Sequence, residues 1–241
     1  MKEQKTSKVE TLHYHHYAKD KYETDIVRAI PGHAEMHEEI KKELAKQLGD
    51  RNITALELGI GTGLTAEPIL RNFNVAKFTG IDFSSAMLEG AAERLKQYKP
   101  ELICADYAEC AFPQNLDLVI SVISIHHQPT DEAKRKLFRK IYASLKPGGV
   151  FIFGDLVTWK DEKIAALNEA RHFHHLVENA TDENTLTEWA HHYKFVNCLA
   201  PLENQIKWLE EVGFKTKIAF SKFNTALVVA VKQKQKITEL I

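Results

Sequence analysis

The sequence predicts a single α/β domain built on a parallel sheet. Three observations carry that reading: five short apolar runs alternate with amphipathic stretches, a glycine-rich turn follows the first run, and acids close the second and third. The runs are 53–58, 76–83, 101–107, 116–124 and 149–157.

Taken in order, the chain opens with helices. Tyr22, Ile26 and Ile30 lie four apart, as do Met36, Ile40, Leu44 and Leu48, so two amphipathic helices flank the breaker Pro31-Gly32, and Gly49 stops the second. The first strand is predicted from Ile53. Of the helices between strands, the clearest carries Ala133, Leu137, Ile141 and Leu145 on one stripe, with Pro147-Gly148-Gly149 as the turn into the fifth strand. Residues 160–195 break the alternation and read as a mainly helical insertion lying over one edge of the sheet. Pro201 and Gly213 bracket a helix over 202–212. Two closing strands are expected at 215–220 and 226–231.

The 241 residues suit one domain, 1–241, with an N-terminal helical cap over 1–50 and the insertion over 160–200; no Ser/Gly-rich linker divides them. Lys and Arg number 32 against 33 Asp and Glu, so the net field offers a phosphate backbone no general attraction. No apolar run approaches membrane-spanning length and the N-terminus lacks an apolar secretory core, which together lead to an expectation of a cytoplasmic protein with no membrane association. Cys104, Cys110 and Cys198 form no CxxC pair and read as reduced thiols. Among twelve His, only His33 and His37 have the i, i+4 spacing that sets two ligands side by side, and no metal is expected.

The chemistry is concentrated where the strands end. The first runs into Glu57-Leu58-Gly59-Ile60-Gly61-Thr62-Gly63, a turn whose glycines let backbone approach a ligand closely, with a helix resuming at Leu64. The second ends in Asp82, 23 residues after Gly59, where a carboxylate can accept hydrogen bonds from two ribose hydroxyls. The third ends in Ala105-Asp106, and the fourth in Ser121-Val122-Ile123-Ser124-Ile125-His126-His127. Open α/β sheets bind ligands at the carboxyl ends of their strands, near the topological switch point. A nicotinamide fingerprint is excluded because the third glycine comes one residue early, and no phosphate-binding G-x-x-x-x-G-K-[ST] is present.

On these residues the chain resembles the class I S-adenosylmethionine-dependent methyltransferases over about residues 14–233. The family's glycine motif matches Glu57 to Gly63, its ribose acid Asp82, its adenine-side acid Asp106 and its turn Leu145 to Gly149. The resemblance implies a Rossmann-like, seven-stranded sheet whose last strand is antiparallel. It implies S-adenosylmethionine as cofactor, with Glu57, Gly59, Gly61, Gly63, Asp82, Ser84, Met87, Asp106, Tyr107 and Ser121 as candidate contacts. Ser84 also reads as the cap of the next helix. In this fold the fourth strand's end faces the transferable methyl, so His126 is a candidate general base, with His127 beside it. Tyr14, Tyr17 and Tyr22 precede the glycine loop and are candidates for a substrate-covering lid pivoting at Pro31-Gly32.

Within the family the chain is similar to small methyltransferases grouped with the tRNA wobble-uridine carboxymethyl transferases, through Ile30-Pro31-Gly32-His33 and the stretch from Asn204 to Phe214. Those enzymes need a cation facing an extra carboxylate, and the corresponding stretch from Glu188 to Lys194 contains no Arg, only His and Lys194. Three functions are thus expected in descending order: methyl transfer to a small molecule, tRNA modification, and cofactor-binding regulation without catalysis. A monomer or homodimer is expected.

Overall fold

The structure is a computed structural model and describes residues 19–234. Helices α1 (Lys19–Ala29) and α2 (His33–Leu48) precede the sheet, separated by Gly32 in the left-handed region, φ 73°. The sheet then forms from β1 (Ile53–Leu58), β2 (Val75–Asp82), β3 (Glu101–Cys104), β4 (Leu116–Val122) and β5 (Leu145–Leu156), interleaved with α3 (Ala66–Asn72), α4 (Ser85–Arg94) and α5 (Asp131–Ser144). After α6 (Glu162–Asn179), α7 (Glu183–His191) and a π-helical turn (His192–Val196) come α8 (Leu202–Val212), β6 (Phe214–Lys222) and β7 (Thr225–Lys232).

The strand order is β3-β2-β1-β4-β5-β7-β6, with β7 antiparallel to both neighbours and all other pairs parallel. The chain reverses direction of travel between β1 and β4, so a crevice opens above those two carboxyl ends. Strand alternation divides the core. Leu56, Leu58, Val119, Phe151 and Phe153 pack with α5 and α8 on one face, whereas Ile53, Ala55, Leu118, Ile120, Val150 and Ile152 pack with α2 and α4 on the other. Burial on both faces is why these strands read as continuous apolar runs.

Four details differ from the sequence expectation. β3 stops at Cys104 and β4 at Val122, because Asp106 and Ser124 open turns that bend the chain out of the sheet. β5 begins at Leu145 and carries the turn motif inside it, with a register shift opposite Leu116 to Leu118 and Gly148 at φ 82°. The helix after the glycine loop starts at Ala66 rather than at Leu64. The insertion packs chiefly on α1 and on itself, placing His172 and Leu176 of α6 over the strands' carboxyl ends rather than over a sheet edge.

α1 is fastened by α4 and α6. Arg94 in α4 forms a two-oxygen contact with Glu23, 2.6 and 2.7 Å, while also reaching Glu67 at 2.9 Å and the Thr62 carbonyl at 3.0 Å. Arg28 donates to the Asn179 carbonyl, and His175 Nε2 lies 2.9 Å from the Arg28 carbonyl oxygen. Tyr14 and Tyr17 lie outside the described residues, as does the side chain of Tyr22. If Arg94 clamps α1 onto the glycine turn, Arg94→Ala should raise amide exchange across α1 several-fold, on the order of 1 kcal/mol for a half-buried ion pair, and leave α5 unchanged. Exchange read by mass spectrometry that is uniform between the two helices would show that the clamp contributes nothing.

Candidate active site

The crevice at the β1–β4 switch is assembled from backbone first. Gly59, Gly61 and Gly63 all have positive φ, 69°, 54° and 84°. At Gly59 the constraint is also spatial: a Cβ would stand 2.1 Å from Ser124 Oγ. Ser124 is fixed there because the Tyr107 hydroxyl lies 3.1 Å from both its carbonyl oxygen and its Oγ. Tyr107, expected beside the cofactor, therefore supports the floor beneath the glycine turn. Ser121 Oγ similarly donates to the Leu58 carbonyl, stitching β4 to β1.

Asp82 sits at the carboxyl end of β2 and is 6% exposed. Its Oδ2 accepts from the Gly61 amide and its Oδ1 from the Ser84 amide, each at 2.9 Å, so one carboxylate locks the loop and opens α4. Burial raises its pKa, opposed by those amide hydrogen bonds. Ser84 caps α4 as expected, accepting from the Met87 amide at 3.4 Å; Met87 itself is buried but belongs to neither sheet-face core cluster. Asp106 uses Oδ1 to accept from the Ala108 amide, closing the turn after β3.

Glu57 is the outlier. It is fully enclosed, its Oε2 has no hydrogen-bond partner, and burial followed by repulsion from Asp82 raises its pKa well above the carboxylate range. A cleft over the turn is lined by Glu57, Gly59, Gly61, Thr62, Thr65 and, unanticipated, His33 and His37. His37 Nε2 is 3.1 Å from Thr65 Oγ1, and burial lowers the His33 pKa to about 3. Thr62 Oγ1 is a second buried atom without a partner. An orphan acid, an orphan hydroxyl and a glycine cradle form a receptacle for a ligand bearing a cation and hydrogen-bond donors.

A second cavity adjoins the first, sharing Ile26 of α1 and Ile123 as common walls. Ile123 has φ 51°, a strained value for a β-branched residue, and its amide is anchored on the Gly154 carbonyl at 2.8 Å. Beyond it the chain makes a 3₁₀ turn, Ile125–His127, which places His126 and His127 in the second cavity. His126 is 3% exposed, and its Nδ1 lies 2.5 Å from Asp155 Oδ1 while its amide donates to Asp155 Oδ2 at 2.8 Å. The rest of the wall comes from α1, from His172 of α6, and from Trp189, His192, Tyr193 and Asn197.

Asp155 is the residue that sequence reasoning missed. Its only signal was an acid inside the apolar run from Val150 to Val157. The insertion's His172, Trp189 and Asn197 carried no local signal, since they meet the sheet only through tertiary packing. Burial lowers the pKa of His172 to about 3 and of His192 to about 4, and drives His127 well below the usual imidazole value. Among the described residues, no group of three or more His, Cys, Asp or Glu is placed to hold a metal ion.

The sheet order, the antiparallel last strand and the glycine-turn crevice are those of the class I S-adenosylmethionine-dependent methyltransferase fold, and a methyltransferase with S-adenosylmethionine as cofactor is what the comparisons support. Residues 55–149 fit the model of a methyltransferase domain. A carboxy-S-adenosyl-L-methionine synthase of Shewanella halifaxensis is 28% identical over 217 residues, covering 86% of this chain and 87% of that one. A malonyl-[acyl-carrier protein] O-methyltransferase of Priestia megaterium is 29% identical over 130 residues, 52% of this chain and less than half, 46%, of its own length. Among solved structures, an S-adenosylmethionine-dependent methyltransferase from Clostridium acetobutylicum superposes with TM-score 0.62 at 16% identity, covering 89% of this chain and 97% of that one. The DhpI–SAH complex gives 0.63 at 16% identity, covering 89% and 91%.

The geometry at Gly59 predicts its own test. Gly59→Ala should destabilise the fold by about 2–4 kcal/mol, combining a left-handed alanine with displacement of the Ser124 and Tyr107 pair. Urea unfolding that gives less than about 1 kcal/mol would mean the turn relaxes freely.

Proposed function

We propose that this chain transfers the methyl group of S-adenosylmethionine to a small-molecule acceptor held in the cavity beneath α1, α6 and α7, with His126 taking the acceptor's proton. The observation that carries this reading is the Asp155 carboxylate, which grips both the amide and the ring of His126. A buried carboxylate on Nδ1 keeps the proton there, leaving Nε2 bare as a base, and stabilises the imidazolium that forms.

S-adenosylmethionine supplies a methyl carbon on a sulfonium, a leaving group that needs no activation. Gly59, Gly61 and Gly63 would bring amides close to it, Asp82 would accept from its ribose hydroxyls, and Glu57 would face its ammonium. The Met87 and Asp106 side chains would flank the adenine. His126 Nε2 would take the proton of the acceptor atom as that atom's lone pair bonded to the methyl carbon, the electrons of the broken carbon–sulfur bond staying on sulfur. α1 and the insertion exclude water and align the two partners, which is where most of the acceleration lies.

Two features support a small acceptor over tRNA. The cavity is roofed by helices on the sheet's carboxyl side, and no Lys or Arg lines it among the described residues, so it offers nothing to a phosphodiester. No helix among the described residues is long and apolar enough to cross a membrane. The His126–Asp155 pair on the second cavity also makes a non-catalytic regulator the weaker reading, because cofactor binding alone does not use it.

Glu57 gives a sign-definite expectation. Its folded pKa is raised, so an arriving ammonium lowers it and expels a proton; cofactor affinity should therefore rise with pH between the bound and the free values. The same linkage costs the ligand-free chain stability as pH climbs through that window. Calorimetry in buffers of different ionisation enthalpy should register proton release on S-adenosylmethionine binding, abolished in Glu57→Gln; equal heats in all buffers would contradict it. Asp82→Ala should weaken binding tenfold or more, since each hydrogen bond to a charged acceptor contributes about 1.5–3 kcal/mol. Equal affinity in that variant would remove the ribose assignment.

For the transfer step, His126→Asn and Asp155→Asn should each lower turnover about 10²-fold while S-adenosylhomocysteine binds with nearly unchanged affinity. Turnover within a factor of a few of wild type would make His126 a wall residue.

A further inference from the structure

The acceptor cavity contains more unsatisfied polarity than the proton transfer needs. Asp25 Oδ2, His172 Nδ1, Trp189 Nε1 and Asn197 Oδ1 are all buried without a hydrogen-bond partner, and all four residues line it. His172, Trp189 and Asn197 are 2%, 6% and 6% exposed. Orphaned buried groups are rare in folded proteins, and four around one cavity mark a place where a ligand completes the hydrogen bonding.

The chemistry of the four groups constrains that ligand. Asp25 and Asn197 present acceptor oxygens, so the ligand must bring donors to them; Trp189 presents an N–H and wants one acceptor. Charge sharpens the choice. Asp25 is the one carboxylate besides the Asp155 pair, and no Lys or Arg lines the cavity among the described residues. The rings of Trp189 and Tyr193, with the His172 ring stacked 4.2 Å from Tyr193, give the wall electron-rich faces that attract a cation. The imidazoles of His127, His172 and His192 add no opposing charge, since burial holds them neutral. An anion would meet a carboxylate, three neutral rings and no counter-charge, at the cost of full desolvation.

We propose that the methyl acceptor is a small molecule that carries an organic ammonium group, received as the cation by Asp25 and Asn197 against the Trp189 and Tyr193 rings, while a separate atom of the same molecule supplies the attacking lone pair and yields its proton to His126. The inference rests on the small-molecule methyl transfer proposed above and deepens it. It also separates this chain from the two relatives described above, whose names imply carboxylated ligands, because no Lys or Arg lines this cavity among the described residues.

The test uses the full chain saturated with S-adenosylhomocysteine. Two matched sets of probes are titrated by calorimetry: phenethylamine, 2-phenylethanol and phenylacetate, then butylamine, 1-butanol and butyrate. In at least one set the ammonium should bind about tenfold or more tightly than its alcohol and carboxylate, as expected for one charge-assisted hydrogen bond gained. Asp25→Asn should erase most of that preference while S-adenosylhomocysteine affinity stays within about twofold. Asn197→Asp, which adds a second carboxylate, should enlarge it, and this variant keeps the test open should Asp25→Asn fold poorly. Equal or tighter binding of the alcohol or carboxylate, no ammonium binding in either set, or a preference indifferent to both variants would overturn the amine assignment. Failure of S-adenosylhomocysteine itself to bind the wild type is a separate outcome, and it would remove the methyltransferase reading beneath it.

Discussion

The grip of Asp155 on His126 is the interaction on which the rest of the site depends. Asp155 is 1% exposed, and a carboxylate so placed is tolerable only if its lone pairs are filled. They are: the His126 amide, the His126 ring and the Leu156 amide, the last at 2.9 Å, all donate to it. Satisfying the acid forces the chain after β4 into the turn that displays His126. The same turn is closed from behind by Lys134 Nζ on the Gln128 carbonyl, 2.5 Å, and joined to the insertion by the Cys198 amide on the His126 carbonyl, 2.9 Å. Sheet, turn and cover meet at one residue.

A second carboxylate does the corresponding work on the cofactor side. Asp82 ties β2 to the glycine turn and to the start of α4, so the turn's shape and the acid's position are not independent. Arg94 extends that tie outwards to α1, whose Ile26 is a wall of both cavities. A ligand seated on the turn and a ligand seated under α1 therefore act on the same helix. That continuity gives physical content to the idea of a cover that tightens when both are bound.

Much of this was legible in the sequence because it is local. The helix 202–212 was read to the residue from Pro201 and Gly213, since breakers act on their own neighbourhood. The glycine turn and Asp82 were legible because strand ends and turns have fixed spacing. The roles of Tyr107 and Ser121 were not, because whether a hydroxyl faces a ligand or a neighbouring strand depends on register: Leu58 pairs with Ser121, and only that pairing directs Ser121 Oγ to the Leu58 carbonyl. Asp155 was invisible for the same reason. Nothing within the run from Val150 to Val157 says that its acid will meet a histidine 29 residues away. Tyr14 and Tyr17, expected on a lid, lie outside the described residues, and the cover that the structure displays is α1, from the same N-terminal segment, joined by α6 and α7.

Proton transfer depends on which nitrogen of His126 carries the proton, because only a bare Nε2 can serve as the base. Long-range proton–nitrogen correlation spectra of the protein labelled with ¹⁵N histidine report this directly, and His126→Asn assigns the signal by its loss. With Asp155 gripping the ring, Nδ1 should be protonated with a strongly deshielded proton, Nε2 should be unprotonated, and the deshielded proton should be lost in Asp155→Asn. A ring protonated on Nε2 and bare on Nδ1 would contradict His126 as the base.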